Sequence, residues 1–439
     1  MTALHILVNL LAYAVFGLGG LLAWPSRYNV IAWLSVPFFV IAYVIPLWVI
    51  DYRAAASLAT IDRLTWINAV GALAMVVGIV AGGRLRRPVR NPLSRWLRPS
   101  AAARADATVS TQRTWRFMLI ACILMTLCFA WMRMVPMFAD EPFLAKFFRG
   151  PYKARYDQVS IPYRFAQAVL GAALPLAMVY ALSLRDRKQV LPVLWAVVLF
   201  AVSLNRGTVA AGAVLIYAAW ASRRLPRVLA FLAVAVVVYG IGSSVYAILG
   251  IISPKDFNLW EQIALGAPDV TDHLDFLGAF RDHDLTYGLT FVGGLVPGNF
   301  RFNPSVFTLA IVNGSSDVSD VASGGLRMPP SVAGFMAFSW LGAVLVPFVS
   351  GLLTGHFVHR LRRLPRENLA QHVAGLLWYQ VCASFLINFY AMSYQGLIAM
   401  LLFFYLVPDI GALARLPASP PLRRRRWRLG RRRNVLATP

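Results

Sequence analysis

The chain has 439 residues, 59% hydrophobic, 13% aromatic and only 14% charged, with a mean hydropathy of +0.63. Soluble globular proteins carry about 25% charged and roughly 45–50% apolar residues, so this composition excludes a water-soluble enzyme and defines a membrane protein. The net charge of +24 does not signal nucleic-acid binding. Its basic blocks alternate with apolar runs, at Arg84–Arg116, Arg185–Lys188, Arg223–Arg227, Arg360–Arg366 and Arg415–Arg433, as retention of Lys and Arg on the cytoplasmic side predicts.

A spanning helix needs ~20 mostly apolar residues at a rise of about 1.5 Å each. The N-terminal MTALHILVNL lacks the basic flank of a cleavable signal, so the first span begins near Leu4. Eleven spans are expected, at 4–24, 29–50, 64–82, 115–138, 164–184, 189–204, 208–222, 228–249, 331–353, 371–389 and 396–414. The sixth and seventh are short, parted only by Asn205-Arg206-Gly207. Three cysteines, Cys122, Cys128 and Cys382, fall in apolar runs and give neither a disulfide framework nor metal-ligand spacing.

An odd number of spans puts the termini on opposite sides. With the Arg-rich tail inside, nearly all the excess positive charge falls inside, which sets the N-terminus outside. The expected fold is an all-α polytopic membrane protein of about 11 transmembrane helices with a cytoplasmic C-terminus. One transmembrane catalytic domain, 1–414, precedes a basic tail, 415–439. The tail RRRRWRLGRRR suits anionic lipid and fixes topology.

Two outer segments exceed turn length, 139–163 and 250–330, and loops beyond ~12–15 residues are usually functional or disordered. In the second, Thr271–Asp282 places Leu274, Leu277 and Phe280 on one face, predicting an amphipathic helix at the interface. The apolar stretch Leu285–Val296 has the length of a re-entrant or interfacial segment. NGSSDVSDVASGG, 313–325, reads as a mobile tether. The chain shows no internal repeat of the kind that builds duplicated transporters.

Basic residues on the outer side are not required by topology. The stretch KFFRGPYKARYDQVSIPYR carries Lys146, Arg149, Lys153, Arg155 and Arg164 beside Tyr152, Tyr156 and Tyr163. Guanidinium groups bind phosphate oxygens in forked pairs, so this loop suits an amphiphilic phosphate and a sugar; the plainer alternative is snorkelling to lipid headgroups. Arg206 lies in a turn between two short helices, where an arginine below the headgroups usually faces a cavity or a partner.

The long loop contains Arg281-Asp282-His283-Asp284, then Arg301 and Arg327. His283 or a neighbouring Asp could take a proton from an acceptor hydroxyl near neutral pH. Asp282 and Asp284 also match the common D-x-D spacing for a divalent ion, and RDHD equally fits a solvated helix end. For Arg301 and Arg327 the plain alternative is a salt bridge to one of the loop's Asp residues. The chain holds no chain of intramembrane acids suited to a proton pump, and no GxxxxGK[ST], HExxH, GxSxG or CxxC.

The basic outer loop through IPYR, LNRGTVAAGAVLIY (204–217), LTYGLTFVGGLVPGNFRFNP (285–304) and PPSVAGFMAFSWLGAVLVPFVSGLLTG (329–355) together resemble the Wzy-type oligosaccharide repeat-unit polymerases of bacterial O-antigen and exopolysaccharide assembly. The resemblance covers the middle and latter half of the chain. It implies an inner-membrane enzyme whose substrates are polyprenyl-pyrophosphate-linked oligosaccharides on the outer face, one chain being transferred to a sugar hydroxyl of another. Pyrophosphate leaves readily once its charge is stabilised, so no metal or other cofactor is expected. Arg206, Arg155 and Arg164, with Arg149, Arg281 and Arg301, are assigned to the pyrophosphate, and His283, Asp282 or Asp284 to the base. Partners would be membrane lipids, a chain-length regulator and a flippase, and no nucleic acid. The competing readings are an O-antigen ligase, with the same outer arginines but a different lipid acceptor, and a lipid-linked sugar transporter or flippase.

Overall fold

The computed structural model describes residues 1–52, 56–85, 107–183, 187–204, 269–296, 301–315, 325–362 and 375–406, with isolated positions between 226 and 264. Among the described residues the secondary structure is helical and no strand occurs. In chain order the main helices are α1 (Ala3–Ala23), α2 (Val30–Val49), α3 (Leu58–Arg84), α4 (Ala107–Met132), α5 (Ser160–Ser183), α6 (Val190–Val202), α7 (Asp269–Ala279), α8 (Pro304–Asn313), α9 (Pro330–Leu361), α10 (Gly375–Ile387) and α11 (Tyr394–Leu406). Six of them, α1 to α5 and α9, are long and apolar enough to cross a membrane. The expected span 208–222, most of 228–249, the 316–324 part of the tether and the tail from 407 lie outside the described residues.

Helix directions follow from which residues meet. Asn9 meets Thr65 and Gly19 faces Met75 and Ile79, so α1 runs parallel to α3. Gly71 lies against Ala343, Gly78 against Phe348 and Gly82 against Leu352, so α9 also runs parallel to α3. Ser350 reaches Ile387 while Phe357 meets Trp378, which makes α10 antiparallel to α9. Phe129 packs on Tyr163, and Gln189, just after α5, donates to the Thr111 carbonyl at 3.0 Å. Hence α4 and α5 are antiparallel, with α6 starting beside the beginning of α4. The starts of α1, α3, α5 and α11 and the ends of α2, α4, α6 and α10 therefore share one end of the bundle, called the loop end below.

Two apolar cores result. One gathers α4, α5, α6, α10 and α11 around Met125, Phe129, Leu170, Tyr180, Phe200 and Phe403. The other joins α1, α2, α3, α7 and the start of α9 around Tyr13, Leu47, Ile61, Leu64, Leu274 and Phe276. The far end of α9, through Phe357, Val358 and Leu361, belongs to the first and so ties the halves together.

The α3–α9 contact is backbone against backbone. A Cβ on Gly78 would lie 2.2 Å from the Phe348 carbonyl oxygen, and one on Gly82 only 2.0 Å from that of Leu352. Only glycine permits such an approach, which is how helices associate where lipid removes the hydrophobic drive.

α9 is not one straight span. Phe338 (φ −140°, ψ 24°) and Ser339 (φ 56°, ψ −144°) break it. Gly334 packs against Gly342, so residues 330–337 double back along the start of 340–361. Residues 330–337 thus form a doubled-back leg, and 285–296 contributes the short helix Leu289–Gly293. That stretch forms a strap. Thr286 and Tyr287 donate to the carbonyls of Met336 and Ala337, while Met392 and Tyr394 donate to those of Phe291 and Gly294. The amphipathic segment predicted over 271–282 is α7 and the 3-10 turn that follows it, with Leu274, Leu277 and Phe280 buried. Its apolar face meets protein, packing on α3 and α8.

Candidate functional site

The segment 139–163 folds into short pieces, Pro142–Phe147, Gly150–Tyr152 and Lys153–Asp157, broken by prolines at 142 and 151 and by the left-handed Phe148 (φ 54°). The turn at Phe148 stacks its ring on Tyr156, with centroids 3.9 Å apart, and both pack edge-on to Tyr163. Arg164 donates from Nε to the Tyr156 hydroxyl and lies over the Tyr156 and Phe148 rings at 5.4 and 5.9 Å. Cation–π contacts of this kind hold a guanidinium in place while leaving its other donors available. Burial pushes the Tyr156 phenol up, and the neighbouring Arg164 draws it back.

Arg149 is half-buried at the turn of this loop, and burial draws its pKa down; Arg155 is exposed on the outer side of its short helix. Tyr163 is within hydrogen-bonding reach of Ser203, and Leu204 follows in a left-handed conformation (φ 58°). The chain therefore leaves α6 beside the Arg164 cluster. Arg206 itself lies outside the described residues.

Arg281, Asp282, His283 and Asp284 form the exposed end of the α7 unit. His283 stacks on Phe280 at 6.2 Å. Neither Asp282 nor Asp284 has a hydrogen bond or ion pair with another described residue. Arg301 is exposed and lies over Phe302 at 5.2 Å. The structure thus gathers Arg164 and Tyr156 with the Tyr163–Ser203 corner and leaves the RDHD stretch on a separate exposed turn. Among the described residues no group of three His, Cys, Asp or Glu stands close enough to hold a metal ion.

A second polar centre, absent from the sequence reading, lies inside the bundle. Asn9 donates to the His5 carbonyl at 2.9 Å and to Thr65 at 2.8 Å, and accepts from Asn68 at 2.8 Å. Asn68 in turn accepts from Ser331 at 2.8 Å. All four of these network side chains are buried.

Next to them, Tyr13 and His273 Nδ1 are 2.8 Å apart, and His273 Nε2 is 2.7 Å from the Arg327 carbonyl. A carbonyl only accepts, so Nε2 carries the proton and Nδ1 accepts from the Tyr13 hydroxyl. Burial accordingly pushes His273 down to about 4 and keeps it neutral. Arg327 Nη2 sits 3.0 Å from Asp269 Oδ1, pairing a side chain that is 59% exposed with one that is 1% exposed. The plain alternative offered for Arg327, a salt bridge within its loop, is what the structure contains. A signal did exist: Asp269, His273 and Phe280 share a helical face with the apolar residues of α7.

Compared with protein-family models, with curated proteins and with solved structures, the chain matches none.

Proposed function

We propose that the chain is a bacterial inner-membrane glycosyltransferase that polymerises polyprenyl-pyrophosphate-linked oligosaccharide repeat units, with the loop end facing outward and the basic tail in the cytoplasm. The observation that carries this reading is the Arg164 cluster. A guanidinium braced by Tyr156 and Phe148 stands at the end of the bundle where topology asks for no positive charge. The six long apolar helices and the sequence resemblance lend it further support.

In this scheme the acceptor hydroxyl attacks the anomeric carbon of the donor sugar. The bond to the diphosphate breaks, and the diphosphate leaves with the electron pair. Arg164, with Arg155, Arg149 and Arg206, offsets the charge that develops on it, the contribution that fixed donors make most strongly in a water-poor site. His283, or Asp282 or Asp284 beside it, is assigned the hydroxyl proton, which requires the bound substrates to bridge from the Arg164 cluster to this separate exposed turn.

The test is polymer length on the cell surface together with elongation of lipid-linked repeats by protein in nanodiscs. Arg164→Ala is expected to reduce elongation by about a hundredfold, the range for losing one charge-stabilising donor, with single repeat units still delivered. His283→Ala should cost about 10²–10⁴-fold in turnover with donor binding retained. Long polymer from Arg164→Ala would overturn the proposal. Undecorated lipid with long polymer left on the carrier would point to a ligase instead.

A further inference from the structure

Arg327 is an exposed arginine held through both its main chain and its side chain. Its main chain is tied to His273, and His273 meets Tyr13, ten residues into α1 and thus about 15 Å along it. Its side chain is held from two directions: Asp269 takes Nη2 at 3.0 Å, and the Phe38 ring lies 5.0 Å from the guanidinium carbon. Phe38 belongs to α2, so the group emerges between α2 and α7, recessed from the loop end. Tyr43, stacked on Tyr13 at 4.3 Å, sits in the π turn Val40–Val44 of the same helix. Such bulges in α-helices recur at functional sites.

The asymmetry of the Asp269–Arg327 pair is informative. The Asp269 side chain is sunk, while the Arg327 side chain is 59% exposed. Guanidinium groups carry five N–H donors, so one edge remains for an oxygen ligand. Asp272, one turn beyond Asp269, is pushed up to about 7 by burial and by Asp269, which limits the negative charge set against an incoming anion.

We infer that Arg327, positioned by Asp269 and Phe38, binds the phosphoanion headgroup of an amphiphile that enters between α2 and α7. This rests on the polymerase reading only for the choice of a polyprenyl diphosphate as the amphiphile. The chemistry itself would equally take the phosphate of an anionic bilayer lipid.

The experiment is binding of radiolabelled undecaprenyl diphosphate to the full chain in phosphatidylcholine nanodiscs. Arg327→Gln should weaken binding by about tenfold or more, the worth of a charge-assisted hydrogen bond, and Arg327→Lys by less, since a point charge replaces a fork. Arg327→Gln leaves Asp269 buried without its partner and can fail to fold. The double variant Arg327→Gln with Asp269→Asn removes both charges and keeps the test decisive. Weakened binding by the folded double variant supports the site, and binding equal to wild type overturns it. Displacement by phosphatidylglycerol added to the nanodisc assigns the headgroup to bilayer lipid; competition only by other polyprenyl diphosphates assigns it to the carrier.

The two proposals fail separately. Arg327-dependent binding by a protein that elongates nothing would overturn the polymerase and keep this site. Elongation with unchanged binding in the double variant would do the reverse.

Discussion

Ser331 donates its hydroxyl to the side-chain oxygen of Asn68 across 2.8 Å, joining residues 263 positions apart. Through this bond the doubled-back leg of α9 is fixed to α3, and Asn68 passes the connection to Asn9 of α1. Polar contacts between membrane helices average about 0.6 kcal/mol and reach about 1.7. Asn68→Ala removes two of them and should lower stability by about 1–3 kcal/mol, read as an earlier thermal unfolding midpoint in detergent. An unchanged midpoint would mean the network is ornamental to stability.

The glycine seam makes a sharper forecast because it has an internal control. A methyl on Gly82 would collide with the Leu352 carbonyl, whereas one on Gly83 meets nothing within 4 Å. Gly82→Ala should destabilise by about 1–3 kcal/mol through overpacking. Gly83→Ala should be neutral or gain up to about 1 kcal/mol from helix propensity. Equal midpoints for the two variants would contradict the close approach of α3 and α9.

At Ser339 the backbone occupies φ 56°, ψ −144°, a region that costs a residue with a side chain about 1–3 kcal/mol. Ser339→Gly is expected to stabilise by about 1 kcal/mol, and Ser339→Val to destabilise. Should both variants unfold with the wild type, the reversal of α9 at this point would be in question.

Asp272 carries a pH signature. Burial raises it from its ordinary value to about 7, so the folded protein holds a proton that the unfolded chain releases near pH 4. The carboxyl therefore costs no stability below about pH 4, and the penalty grows as pH rises toward 7. Asp272→Asn should make the protein more stable than wild type at pH 8, with the advantage fading between pH 7 and 4. Parallel stability curves for the two proteins would show that the carboxyl is solvated.

The sequence disclosed the helical, membrane-spanning character and the amphipathic face of α7, because both are periodic properties of single segments. It did not show the reversal within α9. The run from Pro329 to Gly355 is apolar throughout, and hydropathy does not register a reversal at Phe338-Ser339, whereas Leu285–Val296 has the right length but is drawn out as a strap by hydrogen bonds to Met336, Ala337, Met392 and Tyr394. The Arg164 neighbourhood was legible as a basic, tyrosine-rich loop, though its brace by Phe148 depends on a left-handed turn. Asp269 and His273 went unnoticed because a polar residue in an outer loop reads as solvated. Their place on the apolar face of α7 was the one local sign of burial, and the partners that complete the picture, Arg327 and Tyr13, lie 58 and 260 positions away in the chain.

The pairing of α3 with α9 also has a consequence for biogenesis. The glycine face of α3 has no mate until the last third of the protein has been made. At about 5–20 residues per second, a separation of 263 residues leaves α3 in the bilayer for roughly 15–50 s with its narrow groove occupied by acyl chains or by an insertion factor. Assembly of the half containing α1, α2 and α3 must therefore wait on translation, and truncated nascent chains ending before Pro330 would present that groove to any helix able to fill it.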